Sequence, residues 1–181
     1  MSAEPARKLE ETAPAPKPAG VVLENKLSMV VFSGDLDKLL AAMIIATGAA
    51  AMGMKVVMFF TFWGTAALRD AKKKVGGKDF MSKMFGWMLP KGRNALKLSQ
   101  MHMGGMGTAM LKSLMKKKNA PTLDQLFDIA AQLGVEIKVC EMSMDLMGFK
   151  HEEIIDYPNI DYVGVATFLA NSGKSSNQLF I

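Results

Sequence analysis

Between residues 39 and 63 the chain carries one charged residue, Lys55. A run of that length and character has two physical solutions. It can span a bilayer, or it can form elements buried on all sides within a folded domain. The residues favour the second. Lys55 would fall inside any span that used the whole run, which is costly in hydrocarbon. Gly48 and Gly53 interrupt the run, and Gly53 stands where a helix C-cap belongs. The composition also switches at Lys55, from Ala, Met, Leu and Ile before it to Val, Phe and Thr after it. That switch reads as a helix followed by a strand. Ahead of it, Leu27-Ser28-Met29-Val30-Val31-Phe32 reads as another strand, closed by Ser33-Gly34-Asp35. The expectation is strand, tight turn, buried helix, strand: one unit of a parallel sheet.

The same alternation runs on. Residues 65–75 read as a helix with a basic end. Residues 122–133 read as an amphipathic helix, with Thr122 as its N-cap and Leu123, Leu126, Phe127 and Ala130 as its apolar stripe. Gly134 stops that helix, and 135–139 is the next strand. A short helix is expected at 142–147, closed by Gly148, and a helical turn at 151–155. A strand follows at 161–163, then a helix at 165–170 and a terminal strand at 177–181, tucked into the sheet. The fold class is therefore α/β, with a mostly parallel sheet of about five strands and helices on both faces. Right-handed crossovers are expected, and ligands in such sheets sit at the carboxyl ends of the strands.

The length, 181 residues, suits one such domain. Residues 1–24 are rich in Ala, Pro, Lys and Glu and read as a disordered leader. They lack the apolar core of a secretory signal. The domain is expected over 25–181. Within it, residues 69–118 stand apart as a basic, methionine-rich insertion. They hold 13 basic residues against Asp70 and Asp79, a local net of +11, while the rest of the chain nets −6. Such a patch concentrates anions and acidic partners. Nucleic acid is not expected, because aromatic interleaving and helix-turn-helix patterns are absent. The triplets Lys72-Lys73-Lys74 and Lys116-Lys117-Lys118 also suit helix ends, where cations meet a favourable dipole.

Chemistry-bearing residues are few. One cysteine, Cys140, excludes an internal disulfide framework and a Cys-rich zinc site. Two histidines, His102 and His151, cannot build a multi-histidine metal centre without carboxylates. Gly-x-Gly-x-x-Gly and Walker patterns are missing, so neither a cofactor nor a resident metal is expected. Three strand ends could carry a site. Ser33-Gly34-Asp35 opens a helix whose backbone N–H groups could hold an anion, although a plain capped turn fits these residues better. Thr61-Phe62-Trp63-Gly64 could line a pocket through Trp63, or serve as core. Cys140 falls where a strand gives way to a helix, and Met142, Ser143 and Met144 open that helix. A thiol there feels oriented N–H groups that favour the thiolate; equally, a free cysteine is among the most buried residue types. Met101-His102-Met103 has donors soft enough for Cu(I), but methionines at helical spacing more often form adaptable core or contact surface.

Several strings together resemble a known family. They are Val30-Val31-Phe32-Ser33-Gly34-Asp35-Leu36-Asp37-Lys38, Phe59-Phe60-Thr61-Phe62-Trp63-Gly64, Gly164-Val165-Ala166-Thr167-Phe168 and Asn177-Gln178-Leu179-Phe180-Ile181. The most specific is Cys140-Glu141-Met142-Ser143-Met144-Asp145-Leu146-Met147-Gly148. They resemble the DsrE/DsrF/DrsH-like family, in its DsrE2 branch, also described as peroxiredoxin-like. The resemblance implies a three-layer sandwich, a homo-oligomer and a cytoplasmic sulfur carrier. In that role Cys140 would hold sulfane sulfur as a persulfide or thiosulfonate and pass it to a small sulfur-carrier or rhodanese-like protein. Whether this would count as an enzyme is open; it would be sulfurtransferase-like. A second thiol known in some relatives is missing, which argues against a two-thiol relay and a two-cysteine peroxidase. Some members of the branch carry membrane segments; contact with a membrane is not expected here. Two other readings stand beside this one: a non-enzymatic oligomeric scaffold, and a small-ligand binder at Ser33-Gly34-Asp35.

Overall fold

The structure is a computed structural model that describes residues 22–73, 75–76 and 80–181, with the backbone alone at 80–83. The long apolar run divides as its composition implies. Strand β1 (Glu24–Val31) leads into helix α1 (Leu36–Ala51), and strand β2 (Lys55–Phe60) follows. Gly53 has φ +80 and lies between them, where a residue with a Cβ would be strained. Among the described residues, no helix is long and apolar enough to cross a membrane.

Five parallel strands pair in the order β4-β3-β2-β1-β5, with β3 (Glu136–Cys140), β4 (Ile160–Val163) and β5 (Ser175–Phe180) completing the sheet. The chain steps from β1 to β4 in one direction. It then returns to the opposite edge through helix α7 (Val165–Ser172). Crossovers of one hand put a returning helix on the other face of the sheet, which makes the domain three layers. One layer is thick. Helices α1 and α5 (Leu123–Gln132) cover Leu27, Met29, Val31, Val56, Met58, Phe60, Ile137 and Val139, forming the main core. The short helix α6 (Glu141–Met147) adds Met144 and Met147 to it. The other layer is thin: Phe168 of α7 packs on Val57, Phe59 and Cys140.

Several expectations meet the structure closely. Thr122 caps α5 by accepting from the Gln125 N–H, and the Gln125 side chain accepts from the Thr122 N–H in return. Gly148 ends α6 with φ +63. Lys116 and Lys117 occupy the last turn of helix α4 (Met106–Lys117). Of the leader, residues 1–21 lie outside the described residues, and Glu24 already belongs to β1.

Two expectations need correction. The helix expected at 65–75 stops early: α2 spans Trp63–Ala67. Backbone groups at 68–70 pair instead with 153–155. Asp70 N–H donates to Glu153 O at 2.7 Å, and Ile155 N–H donates to Leu68 O at 2.8 Å. The Arg69 side chain turns inward beneath this pairing, 3.2 Å from the Glu153 carboxylate and over the Phe149 ring. Tertiary pairing overrides local helix preference here. Lys72 and Lys73 are therefore not a helix end; Lys73 reaches Asp156 at 2.8 Å, and Lys74 lies outside the described residues. The second correction concerns the terminal strand. It pairs with β1 as expected, but it is the edge of the sheet and its side chains beyond Ser175 are largely exposed.

Candidate functional site

The carboxyl ends of β1, β2 and β3 converge at one rim of the sheet. The loops after β1 and β2 interlock there. Thr61 N–H donates to Val31 O at 3.1 Å, and Gly64 N–H donates to Phe32 O at 2.9 Å. The approach is close enough to require glycine: a Cβ on Gly34 would lie 2.6 Å from Trp63 O, and one on Gly64 would lie 2.4 Å from Val31 O. Phe62 takes φ 44 between these loops. A positive φ at an aromatic residue persists only where the surroundings hold it. Its ring is 5.4 Å from Phe32, which in turn stacks 5.8 Å from Phe180.

Ser33, Gly34, Asp35 and Trp63 line one cavity of about 350 Å³, with Lys38 and Lys97. Asp35 is the N-cap of α1 by its backbone, but its carboxylate does not cap. It accepts from Ser33 Oγ at 2.8 Å and pairs with Lys38 at 3.0 Å. The remaining candidates lie elsewhere. Met142 is exposed, Met144 is in the core on the α1 side, and Ser143 is buried with its Oγ 2.8 Å from Thr61 Oγ1. That hydroxyl pair ties the first turn of α6 to the end of β2.

Cys140 is the last residue of β3 and the N-cap of α6. Odd-numbered residues of β3 face the main core, so the even-numbered Cys140 faces α7. Its relative exposure is 0%. Val57, Phe59 and Phe168 enclose it, and the rings of Phe59 and Phe168 stack at 4.5 Å and 12°. The thiol therefore lies beneath α7 and does not open onto the Trp63 cavity.

Sequence reasoning missed what lies beside it. A cavity of about 480 Å³ runs between α7 and the sheet, lined by Lys26, Lys55, Glu136, Lys138 and Asp161. Its apolar wall is Val57, Val163 and Phe168, the same side chains that pack around Cys140. The floor is an ion-pair ladder. Lys55 meets Glu136 at 3.0 Å, Glu136 meets Lys138 at 3.2 Å, and Lys138 meets Asp161. Burial alone would push the Glu136 carboxyl up, but hydrogen bonds from Lys55 and Lys138 hold it below its ordinary value. Burial likewise disfavours charged Lys138, yet its bonds to Asp161 and Glu136 raise it. Lys26 is buried and donates to Asn171 O at 2.8 Å, in the last turn of α7. A signal existed. Lys26 and Ser28 alternate with Leu27 and Met29, as Glu136 and Lys138 alternate with Ile137 and Val139. That is the period of a sheet with one dry face and one partly polar face.

The sequence matches the DsrE/DsrF/DrsH-like family over residues 23–180. It is 47% identical over 157 residues to a Bacillus subtilis protein named "Uncharacterized protein YrkE", covering 87% of this chain and 97% of that one. It is 33% identical over 162 residues to the "Sulfur carrier protein DsrE2" of Allochromatium vinosum, covering 87% of this chain and 99% of that one. The fold, the residues that build its strand ends and a match across almost all the described residues agree: the chain belongs to the DsrE/DsrF/DrsH-like family.

Proposed function

We propose that the protein is a sulfur carrier that holds sulfane sulfur on Cys140 and hands it to a partner protein. The observation that carries the reading is the likeness to a sulfur carrier over 162 residues, in a chain whose one thiol ends a central strand of the sheet. The chemistry is nucleophilic exchange at sulfur. The Cys140 thiolate attacks the sulfane sulfur of a polysulfide, a new S–S bond forms, and the donor's S–S bond breaks with its electron pair leaving on the shortened polysulfide. A partner thiolate then attacks the outer sulfur and releases Cys140 as a thiolate. With one cysteine, each chain carries one sulfur site and any relay crosses to another molecule.

Cys140 is buried, so the carrier reading requires α7 to yield before the donor arrives. The cavity beside that wall offers the approach for an anionic donor, past the Lys26 ammonium. The basic segment 69–118 would draw an acidic partner to the outside of the same molecule. A second reading, ligand binding without sulfur transfer, draws on the sealed thiol and the separate Ser33–Trp63 cavity.

Intact-mass measurement after incubation with polysulfide separates the two. The carrier reading expects one added sulfur on the native protein and none on Cys140→Ser. Unmodified native protein, or equal addition to both, contradicts it.

A further inference from the structure

Four methionines of the basic insertion, gathered within ten residues, are not core. Met101, Met103, Met106 and Met110 are between 63% and 70% exposed. Four thioethers left in water within ten residues call for an explanation that isolated surface methionines do not. The backbone gathers them. Met101 O would lie 1.9 Å from a Cβ on Gly107, so residue 101 rests against the first turn of α4 at a point where only glycine fits. The Gly105 and Gly107 N–H groups both donate to His102 O, at 2.8 and 3.3 Å. The half-buried His102 has its Nδ1 3.1 Å from Oγ1 of Thr108, which is buried in the same turn. Met106 opens α4, and Met110 follows one turn later on the same face. Residues 101, 102, 103 and 106 therefore meet at one end of one helix. Met101 and Met103 reach this arrangement with φ of 56 and 45, conformations that residues with a side chain rarely adopt.

We propose that Met101, His102, Met103 and Met106 form a binding site for Cu(I). Thioether sulfur and imidazole are donors that select a soft monovalent cation, and they offer little to Mg²⁺ or Ca²⁺. With Nδ1–H donating to Thr108, His102 keeps the Nε2 lone pair for the metal, and Thr108 fixes the ring as an outer partner of a ligating histidine does. The site uses neither Cys140 nor the cavity under α7, so it stands independently of the sulfur-carrier reading.

The test is titration of full-length Cys140→Ser with Cu(I) under anaerobic conditions, against a chromophoric Cu(I) chelator. That background removes the thiol as a competing ligand. The expected result is one Cu(I) held per chain. Combined Met101→Leu, Met103→Leu and Met106→Leu should abolish retention; these side chains are exposed, their volumes are conserved, and an unchanged circular dichroism spectrum is the check that the helices stay intact. Thr108→Val should weaken binding about tenfold or more by freeing the ring. Absence of Cu(I) binding by Cys140→Ser overturns the proposal, as does retention unchanged by the triple substitution. Either outcome leaves the exposed methionines as a protein contact surface.

Discussion

Gly64 shows how little room the rim of the sheet allows. Its absent Cβ would sit 2.4 Å from Val31 O, a backbone atom that cannot swing aside. Gly64→Ala is expected to force the loops after β1 and β2 apart and to cost about 2–3 kcal/mol, within the range for overpacking. Gly48 is the contrast. It lies in helix α1, and a Cβ there would meet nothing within 4 Å. Gly48→Ala should stabilise by roughly 0.5–1 kcal/mol through helix propensity. Thermal unfolding of both variants checks the pair, since the two shifts must have opposite signs. At this scale the sequence was partly legible. The motif strings placed Ser33, Gly34, Asp35 and Trp63 at strand ends, and the structure brings them into one cavity. They could not reveal which glycine was sterically required, because that depends on the carbonyl of another strand's loop. Nor could they reveal that Arg69 turns inward to Glu153, a contact spanning 84 positions.

Helix α7 is the element that covers the thiol. Phe168 stacks on Phe59 and closes over Cys140 in a layer with few other buried side chains. Phe168→Ala is expected to cost about 3 kcal/mol and to raise the rate at which a thiol reagent labels Cys140 in the folded protein. Phe127→Leu, on the opposite face of the sheet, supplies a destabilised control that should leave native-state labelling unchanged. Equal rates in the native protein and Phe168→Ala would show that α7 does not govern access. The ladder beneath α7 gives a second expectation. The folded-state pKa of Glu136 lies below its unfolded value, so its contribution is present above about pH 4.3 and is lost as pH falls through the folded value. Lys138 runs the other way. Its raised value gives a contribution present below about pH 10.4 and lost as pH rises through the folded value. Glu136→Gln should therefore flatten the acid limb of a plot of unfolding midpoint against pH. An unchanged acid limb would show that the ladder is not coupled to stability. Helix α5 was readable from its apolar stripe, and α1 and β2 from the change of composition at Lys55. Helix α2 was overread because lysine and alanine favour a helix locally, while the pairing of 68–70 with 153–155 is invisible to local pattern.

For the whole molecule, topology explains the division of labour. Because β5 returns to the far edge of the sheet, one face carries α1, α5 and the main core, and among the described residues the other carries α7 alone. The parity of β3 then turns Cys140 toward the thin layer, under Phe168 of α7. Apolar runs and turn residues made the five-strand α/β architecture readable. The face on which the cysteine lies depends on strand register and on the β4-to-β5 crossover, which one sequence does not display. Whether Cys140 carries sulfur for a partner can be decided by loading the native protein with radiolabelled sulfane sulfur and adding a thiol acceptor protein. The expected outcome is label on the peptide containing Cys140, its departure to the acceptor thiol, and no loading of Cys140→Ser. Label that never attaches, or that attaches equally to Cys140→Ser, would contradict a carrier role for this thiol.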